Sequence, residues 1–277
     1  MFEKLSDYQP PFLLFLLLVI KTLSMLTLLS PAKSFDFESP ARTALSSEPD
    51  FGAESTRLIK KVGTYSKKKL GELMSISAEL AALNVSRYQK WSSTPESGTT
   101  KQAILTFNGE AYRGLNASEM DDEDLQFAQN HLRMLSGLYG VLRPLDLIQP
   151  HRLEMGTKLK YYGYKNLYEF WGDKITKRLN NDLGGAEWLV NLASTEYFKS
   201  VQESKLKATV ITPIFKDFSN GRYKVLMTYA KNARGVMANY IIKNRINDPE
   251  ILKGFNENGY AFDEGQSEDN NWVFVRG

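Results

Sequence analysis

Two histidines, no cysteine and a scatter of acids among bases bound the chemistry open to this chain. Without a thiol there is no disulfide, iron–sulfur cluster, thiolate zinc site or cysteine nucleophile. An imidazole metal ligand or a Ser-His-Asp triad would have to use His131 or His151. Both belong to one informative segment, running from His131 to Gly156, which also carries Arg133, Arg143 and Arg152. Its apolar helical pattern breaks at Ser136-Gly137, turns through Gly140 and resumes as far as Pro150. Helix, glycine hairpin and helix, with arginines at the bend, is one way to offer backbone N–H groups and cations to a phosphate chain. Glu154, Asp173 and Glu196 lie near bases and are the candidate catalytic carboxylates or magnesium ligands. Ion pairing with arginines such as Arg152 is the commoner use of such groups. His151, beside Arg152, reads as a satisfied polar residue rather than a proton shuttle.

Charge is segregated along the chain although the net charge is only +3. Lys199 to Arg245 holds ten Lys/Arg against two acids, Glu203 and Asp217; Ile246 to Gly277 holds seven acids against two bases. Arg57, Lys60, Lys61, Lys67, Lys68 and Lys69 follow one another with no acid between them. Any affinity for anions must therefore come from local clusters. If cations from distant segments converge, Lys33, Arg143, Arg152, Lys199, Lys231 and Arg234 would line one cleft. Gly137 and Gly140 would let a nucleic-acid backbone approach closely. Phosphate-loop, dinucleotide-fold, zinc-protease and calcium-loop motifs are all missing, so the usual kinds of nucleotide hydrolysis are unsupported. No resident cofactor or metal is implied. Direct iron binding would need carboxylates, in Glu119–Asp124 or Asp263–Asp269.

The elements that must position these groups alternate in type. Leu26–Leu29 reads as a buried strand, followed by a proline-punctuated stretch to Gly52. Helical spacing covers Phe51 to Val62 and then Ser66 to Tyr88 as one longer helix. Ser92 to Thr100 is a loop, and Ala103–Phe107 a strand candidate stopped by Asn108-Gly109. The acidic run Glu119 to Asp124 starts a helix with Leu125, Ala128, Leu132 and Leu135 as its buried stripe. Lys165 to Leu183 reads as a helix, and Trp188–Ala193 as a strand running into Ser194, a helix N-cap. Strands at Ala208–Phe215 and Tyr223–Tyr229 flank the Asn220-Gly221 turn. A helix over Ala233–Asn244 and strands at Tyr260–Phe262 and Trp272–Val275 close the chain. At 277 residues, 42% hydrophobic and 24% charged, with no internal repeat or long linker, this is one compact mixed α/β (α+β) domain of helices around a mixed sheet.

The first 24 residues stand apart. Phe12 to Ile20 is an apolar run of nine interrupted by Lys21, far short of the roughly 20 residues a spanning helix needs. Glu3 and Asp7 replace the usual positive start of a signal peptide, and no small-x-small cleavage site follows. Residues 1–24 are expected to be an extension upstream of a start at Met25, with residues 25–277 forming the domain and no membrane anchor.

Several segments together closely resemble the bacterial peroxide-stress protein YaaA family. They are Leu29-Ser-Pro-Ala-Lys33 with Phe35-Asp36, Phe127 to Asp146, Arg152-Leu-Glu-Met-Gly156, Phe170-Trp-Gly-Asp173, Asn191-Leu-Ala-Ser194 with Glu196 to Ser200, and Ala230-Lys-Asn-Ala-Arg-Gly235. The resemblance runs from about Met25 to Val275. It implies a cytoplasmic protein of the hydrogen peroxide response, linked to lowering free iron and limiting DNA damage. It also implies a mixed α/β fold that binds duplex or branched DNA through a basic cleft and a helix-hairpin-helix element, with no obligate protein partner. That element maps onto Leu125–Pro150, although Gly137-Leu-Tyr-Gly140 is one residue longer than the usual Gly-x-Gly. The residues assigned to DNA are Lys33, Arg133, Gly137, Gly140, Arg143, Arg152, Lys199, Lys231 and Arg234. The alternative is an enzyme acting on an anionic or phosphorylated small molecule or nucleic acid with the same cleft.

Overall fold

The computed structural model describes residues 25–277. The apolar run Phe12–Ile20 and the rest of the 1–24 extension lie outside the described residues. In chain order the strands are β1 (Met25–Leu29), β2 (Ser34–Phe35), β3 (Lys101–Gln102), β4 (Phe107–Asn108), β5 (Leu132–Ser136), β6 (Gly140–Leu142), β7 (Leu147–Ile148), β8 (Trp188–Leu192), β9 (Thr209–Ser219), β10 (Arg222–Lys224), β11 (Ala261–Glu268) and β12 (Asn271–Arg276). The α-helices are α1 (Gly52–Val62), α2 (Lys67–Met74), α3 (Ala78–Lys90), α4 (Ala103–Thr106), α5 (Glu110–Leu115), α6 (Asp122–His131), α7 (Leu167–Trp171), α8 (Lys174–Leu183), α9 (Thr195–Phe198) and α10 (Met227–Lys243).

β1 is apolar at every position except Thr27 and is buried throughout. Such a strand belongs in the middle of a sheet covered on both faces. It pairs in parallel with β5, Thr27 opposite Leu132, and with β8, Met25 opposite Trp188. The sheet runs β11-β12-β9-β8-β1-β5-β6, with β10 also paired to β9. β5, β1, β8, β9 and β12 are mutually parallel; β6, β10 and β11 pair antiparallel at the margins. Numbered among themselves, the parallel strands lie in the order 2-1-3-4-5. The order reverses between β1 and β8, the place where doubly wound sheets open a crevice at the strands' carboxyl ends. α10 packs on β9, β8 and β1, α6 on β1 and β5, and α8 on β1 and β6. One continuous apolar core runs from Met25 to Phe274. The expected mixed α/β class is the observed one.

Several local expectations change. Leu125–Pro150 is not a helix-hairpin-helix: α6 ends at His131, and Leu132–Ser136 extends as β5, hairpinned to β6 with Met134 opposite Leu142. The run 132–136 is buried at all five positions and lies inside the sheet, with β1 on one edge and β6 on the other. The single helix expected over Ser66–Tyr88 is instead α2 and α3. Ser75 adopts a left-handed conformation (φ 52°) that ends α2, and the Ser77 hydroxyl caps α3 by accepting the Leu80 N–H. Ala103–Thr106 is helical because the Ala103 and Ile104 amides donate to the carbonyls of Asp146 and Pro144. Gly172 (φ 52°) divides the helix expected over Lys165–Leu183 into α7 and α8. β10 ends at Lys224, and α10 starts at Met227, earlier than expected.

Candidate functional site

The carboxyl ends of β1 and β8 meet at the point of strand reversal. The Ser194 N–H donates to Ser30 Oγ at 2.8 Å, and the two hydroxyls are 3.3 Å apart. The Tyr112 hydroxyl donates to the Ser30 carbonyl at 2.9 Å. His151–Glu154 and Tyr197 line a crevice here with Pro31–Lys33, Ser136 and Gly137, enclosing about 20 Å³. That is room for one water-sized group.

The crevice is rich in cations. Lys33 Nζ lies 2.6 Å from Glu154 Oε2, and Arg152 Nη2 lies 2.9 Å from Glu154 Oε1. One carboxylate thus serves two bases. Arg152 Nε is buried with no hydrogen-bond partner. Arg87 of α3 adds a third cation. Burial first, and then repulsion from Arg152, hold its pKa below the usual arginine value. Arg87 has no ion pair among the described residues; it makes a long 3.4 Å contact to Asn84 Oδ1 and sits 5.7 Å from the Phe35 ring centre. Sequence reading missed it, since nothing in the α3 pattern marks one arginine as unpaired.

Glu196 accepts the Gly156 N–H at 2.9 Å, and the Tyr168 hydroxyl donates to the Glu196 carbonyl at 2.9 Å. Lys199 stands 5.3 Å from the Tyr168 ring centre. Burial, together with the charges of Glu196 and Glu154, pushes the Tyr197 phenol well up. His151 is buried between Phe35 and Tyr139, with Nδ1 2.8 Å from the Gln149 carbonyl. Burial lowers its pKa to about 4, so it is neutral at physiological pH and does not shuttle protons. Lys33, Gly137, Arg152, Glu154, Glu196 and Lys199 are therefore gathered at one end of the sheet.

The other expected groups are not. Arg133 is buried and bonded to Asp182 at 2.7 Å; Asp182 also holds Arg178, Arg178 reaches Asp50, and Asp50 faces Arg143. Arg143 also pairs with Asp146 at 3.1 Å. Three arginines and three aspartates cancel in this network, which takes Arg133 and Arg143 away from any phosphate. Gly137 and Gly140 serve internal packing. A Cβ on Gly137 would lie 2.2 Å from the Leu153 carbonyl oxygen, and one on Gly140 (φ 70°) 2.8 Å from the Trp171 ring. Asp173 is paired on the surface with Lys177 at 2.8 Å. Lys231 is exposed on α10. Arg234 is half-buried there and makes no hydrogen bond or ion pair among the described residues; burial lowers its pKa. His131 stacks on Phe127. In the acidic run, Asp124 is buried and bonded to Lys243 and Arg245. No three His, Asp or Glu side chains converge as metal ligands among the described residues. No helix among them is long and apolar enough to cross a membrane.

A second cationic surface lies on α1 and α2. Arg57, Lys60, Lys67 and Lys68 are exposed and have no ion-pair partner among the described residues. Lys61 and Lys69 approach the Tyr65 ring at 5.4 and 4.3 Å. A groove of about 360 Å³ is lined by Lys60, Tyr88 and Trp91. A second groove, about 540 Å³, is lined by Phe37, Arg87, Lys90, Trp91 and Gln149. Trp91 borders both, and Arg87 connects the second to Arg152 and the crevice.

Strand order and site together define a doubly wound α/β protein with a net-positive polar cluster at its switch point. The chain belongs to the peroxide stress protein YaaA family, whose model matches residues 25–266. It is similar to a UPF0246 protein of Cupriavidus pinatubonensis, 51% identical over 257 residues that cover 91% of this chain and 98% of the relative. UPF0246 proteins of Burkholderia thailandensis and Aliivibrio fischeri are 49% and 48% identical, with the same coverage. Family membership supports a role in oxidative stress.

Proposed function

We propose that the chain serves the peroxide response by binding DNA, holding the phosphate backbone along the unpaired cations of α1, α2 and α3 as far as the switch-point crevice. The observation that carries this reading is the run of exposed bases, Arg57, Lys60, Lys67 and Lys68, none of which has an ion-pair partner among the described residues. The α2–α3 hairpin takes the place of the element mapped onto Leu125–Pro150. Duplex or branched DNA is the partner, in the cytoplasm, and limitation of DNA damage together with lower free iron is the outcome. Phosphate neutralisation releases counterions, so log affinity should fall with log salt by about 0.9 per contact. Duplex affinity measured from about 50 to 200 mM salt tests this. Lys60→Glu, Lys67→Glu and Lys68→Glu together should weaken binding and flatten the slope. A slope near zero in the unaltered protein overturns the reading.

The second reading, an enzyme acting on a small phosphorylated molecule, draws on the buried, partnerless Arg152 Nε in the crevice that Lys33 and Glu154 also line. Glu154 would act there as acid or base, with Lys33 and Arg152 as the anion clamp. Turnover of a phosphorylated substrate that is lost in Glu154→Gln while DNA binding persists would favour it.

A further inference from the structure

We propose that the groove lined by Phe37, Arg87, Lys90 and Trp91 receives one unpaired nucleobase with its phosphate. The proposal rests on the DNA-binding reading for the source of that base, a single-stranded or extrahelical nucleotide; a free nucleotide offers the same chemistry.

The groove's volume of about 540 Å³ suits a nucleotide, since small-molecule sites span roughly 300–1,000 Å³. Aromatic rings and cations line it, with the exposed Glu38 as the one carboxylate in the lining against Arg87, Lys90 and Lys101. Trp91 and Phe37 are half-buried aromatic rings. Trp91 is fixed at its edge, the indole N–H donating to the Tyr139 hydroxyl at 3.2 Å. The adjoining Ser92 backbone is clamped by Gln149, which accepts its N–H at 3.0 Å and donates to its carbonyl at 2.7 Å. A ring held by its edge and lining an open groove is a preformed stacking platform, sequence-tolerant because every base has a π-face.

The cations sit beside these rings. Arg87 and Lys90 have no carboxylate partner among the described residues. A half-buried guanidinium without an anion is costly, and a phosphate would supply a bidentate partner. Arg152, whose charge already lowers the Arg87 pKa, extends the positive field toward the crevice. Aromatic wall and unpaired guanidinium in one groove match base and phosphate of one nucleotide.

Fluorescence anisotropy tests this with four DNAs: an intact duplex, the same duplex with one extrahelical base, the same with an abasic bulge, and a single strand. The protein should favour the extrahelical base over the abasic bulge by about 5- to 150-fold, the range of one base–aromatic stack. Trp91→Ala should erase that preference while sparing intact-duplex affinity, and Trp91→Phe should keep most of it. Phe37→Ala, which leaves the Tyr139 bond in place, checks that the loss does not come from misfolding. Equal binding of the base-bearing and abasic bulges overturns the pocket and leaves the duplex reading standing. If no DNA binds, that reading fails alone, and calorimetric titration with adenosine monophosphate decides the pocket. Binding lost in Trp91→Ala supports it, and no binding overturns it.

Discussion

Individual side chains carry two separable effects. The pKa of His151 is about 4 in the fold against an ordinary 6.5, because burial penalises the charged ring. As pH falls through 6.5 the unfolded chain takes up a proton that the folded chain refuses until about 4. Stability is therefore full above about pH 6.5 and is lost between 6.5 and 4, on the order of 3 kcal/mol from this group. The pKa of His131 is lowered in the same direction, also by burial, and adds to the slope. His151→Gln should flatten the pH dependence of the urea midpoint; an unchanged slope would exclude His151 as its source. Arg234 gives a contrasting test. A half-buried arginine without a partner reduces stability, so Arg234→Met is expected to raise the melting temperature or leave it unchanged. If Arg234 is retained for an anion, the same variant loses DNA affinity; a clear drop in melting temperature would show that its role is structural. Lys33, Arg152, Glu154 and Glu196 were legible as a set because bases and acids alternate in short motifs. Arg87 and the cancellation of Arg143 were not, since pairing depends on Asp50 and Asp146, which only the fold brings near.

Helices and strands are held together by close backbone approach and by buried charge. α5 and α10 cross at glycines on both sides: a Cβ on Gly235 would lie 1.7 Å from the Ala111 carbonyl, and one on Gly114 2.2 Å from that of Asn232. Gly235→Ala must part the two helices and should cost about 1–3 kcal/mol or more, read from denaturant unfolding. Asp182 is the hinge of the arginine–aspartate network. Asp182→Ala leaves Arg133 charged and buried and should cost about 3–5 kcal/mol, with no change in the salt slope of DNA binding. An altered slope would place Arg133 or Arg143 at the phosphates after all. Element boundaries were the least legible feature. Leu132 and Leu135 fit a helical stripe as well as a buried strand, because a short apolar run has no period of its own. What decides between them is the free edge of β1. The break in the 66–88 helix spans residues 75–77 and opens at Ser75, whose left-handed backbone nothing in the spacing announces.

Across the whole molecule, the mixed α/β class could be read from the sequence, but the order of strands could not. Alternation of elements and a mild charge balance indicate α/β; they do not say that β1 lies between β5 and β8. That placement has a consequence for the making of the protein. The central strand leaves the ribosome early, while the two segments that close its edges, 132–136 and 188–192, follow long afterwards. Until residue 192 is synthesised, a largely apolar ribbon has at least one open side, the state most prone to mispairing and most attractive to chaperones. Arrested nascent chains ending before residue 188 should be protease-sensitive throughout, and protection should arise abruptly once β8 and β9 are out. Gradual protection would mean that the amino-terminal half matures alone. For a protein whose family bears the name of peroxide stress, the interval of synthesis is itself a window of exposure to the oxidant.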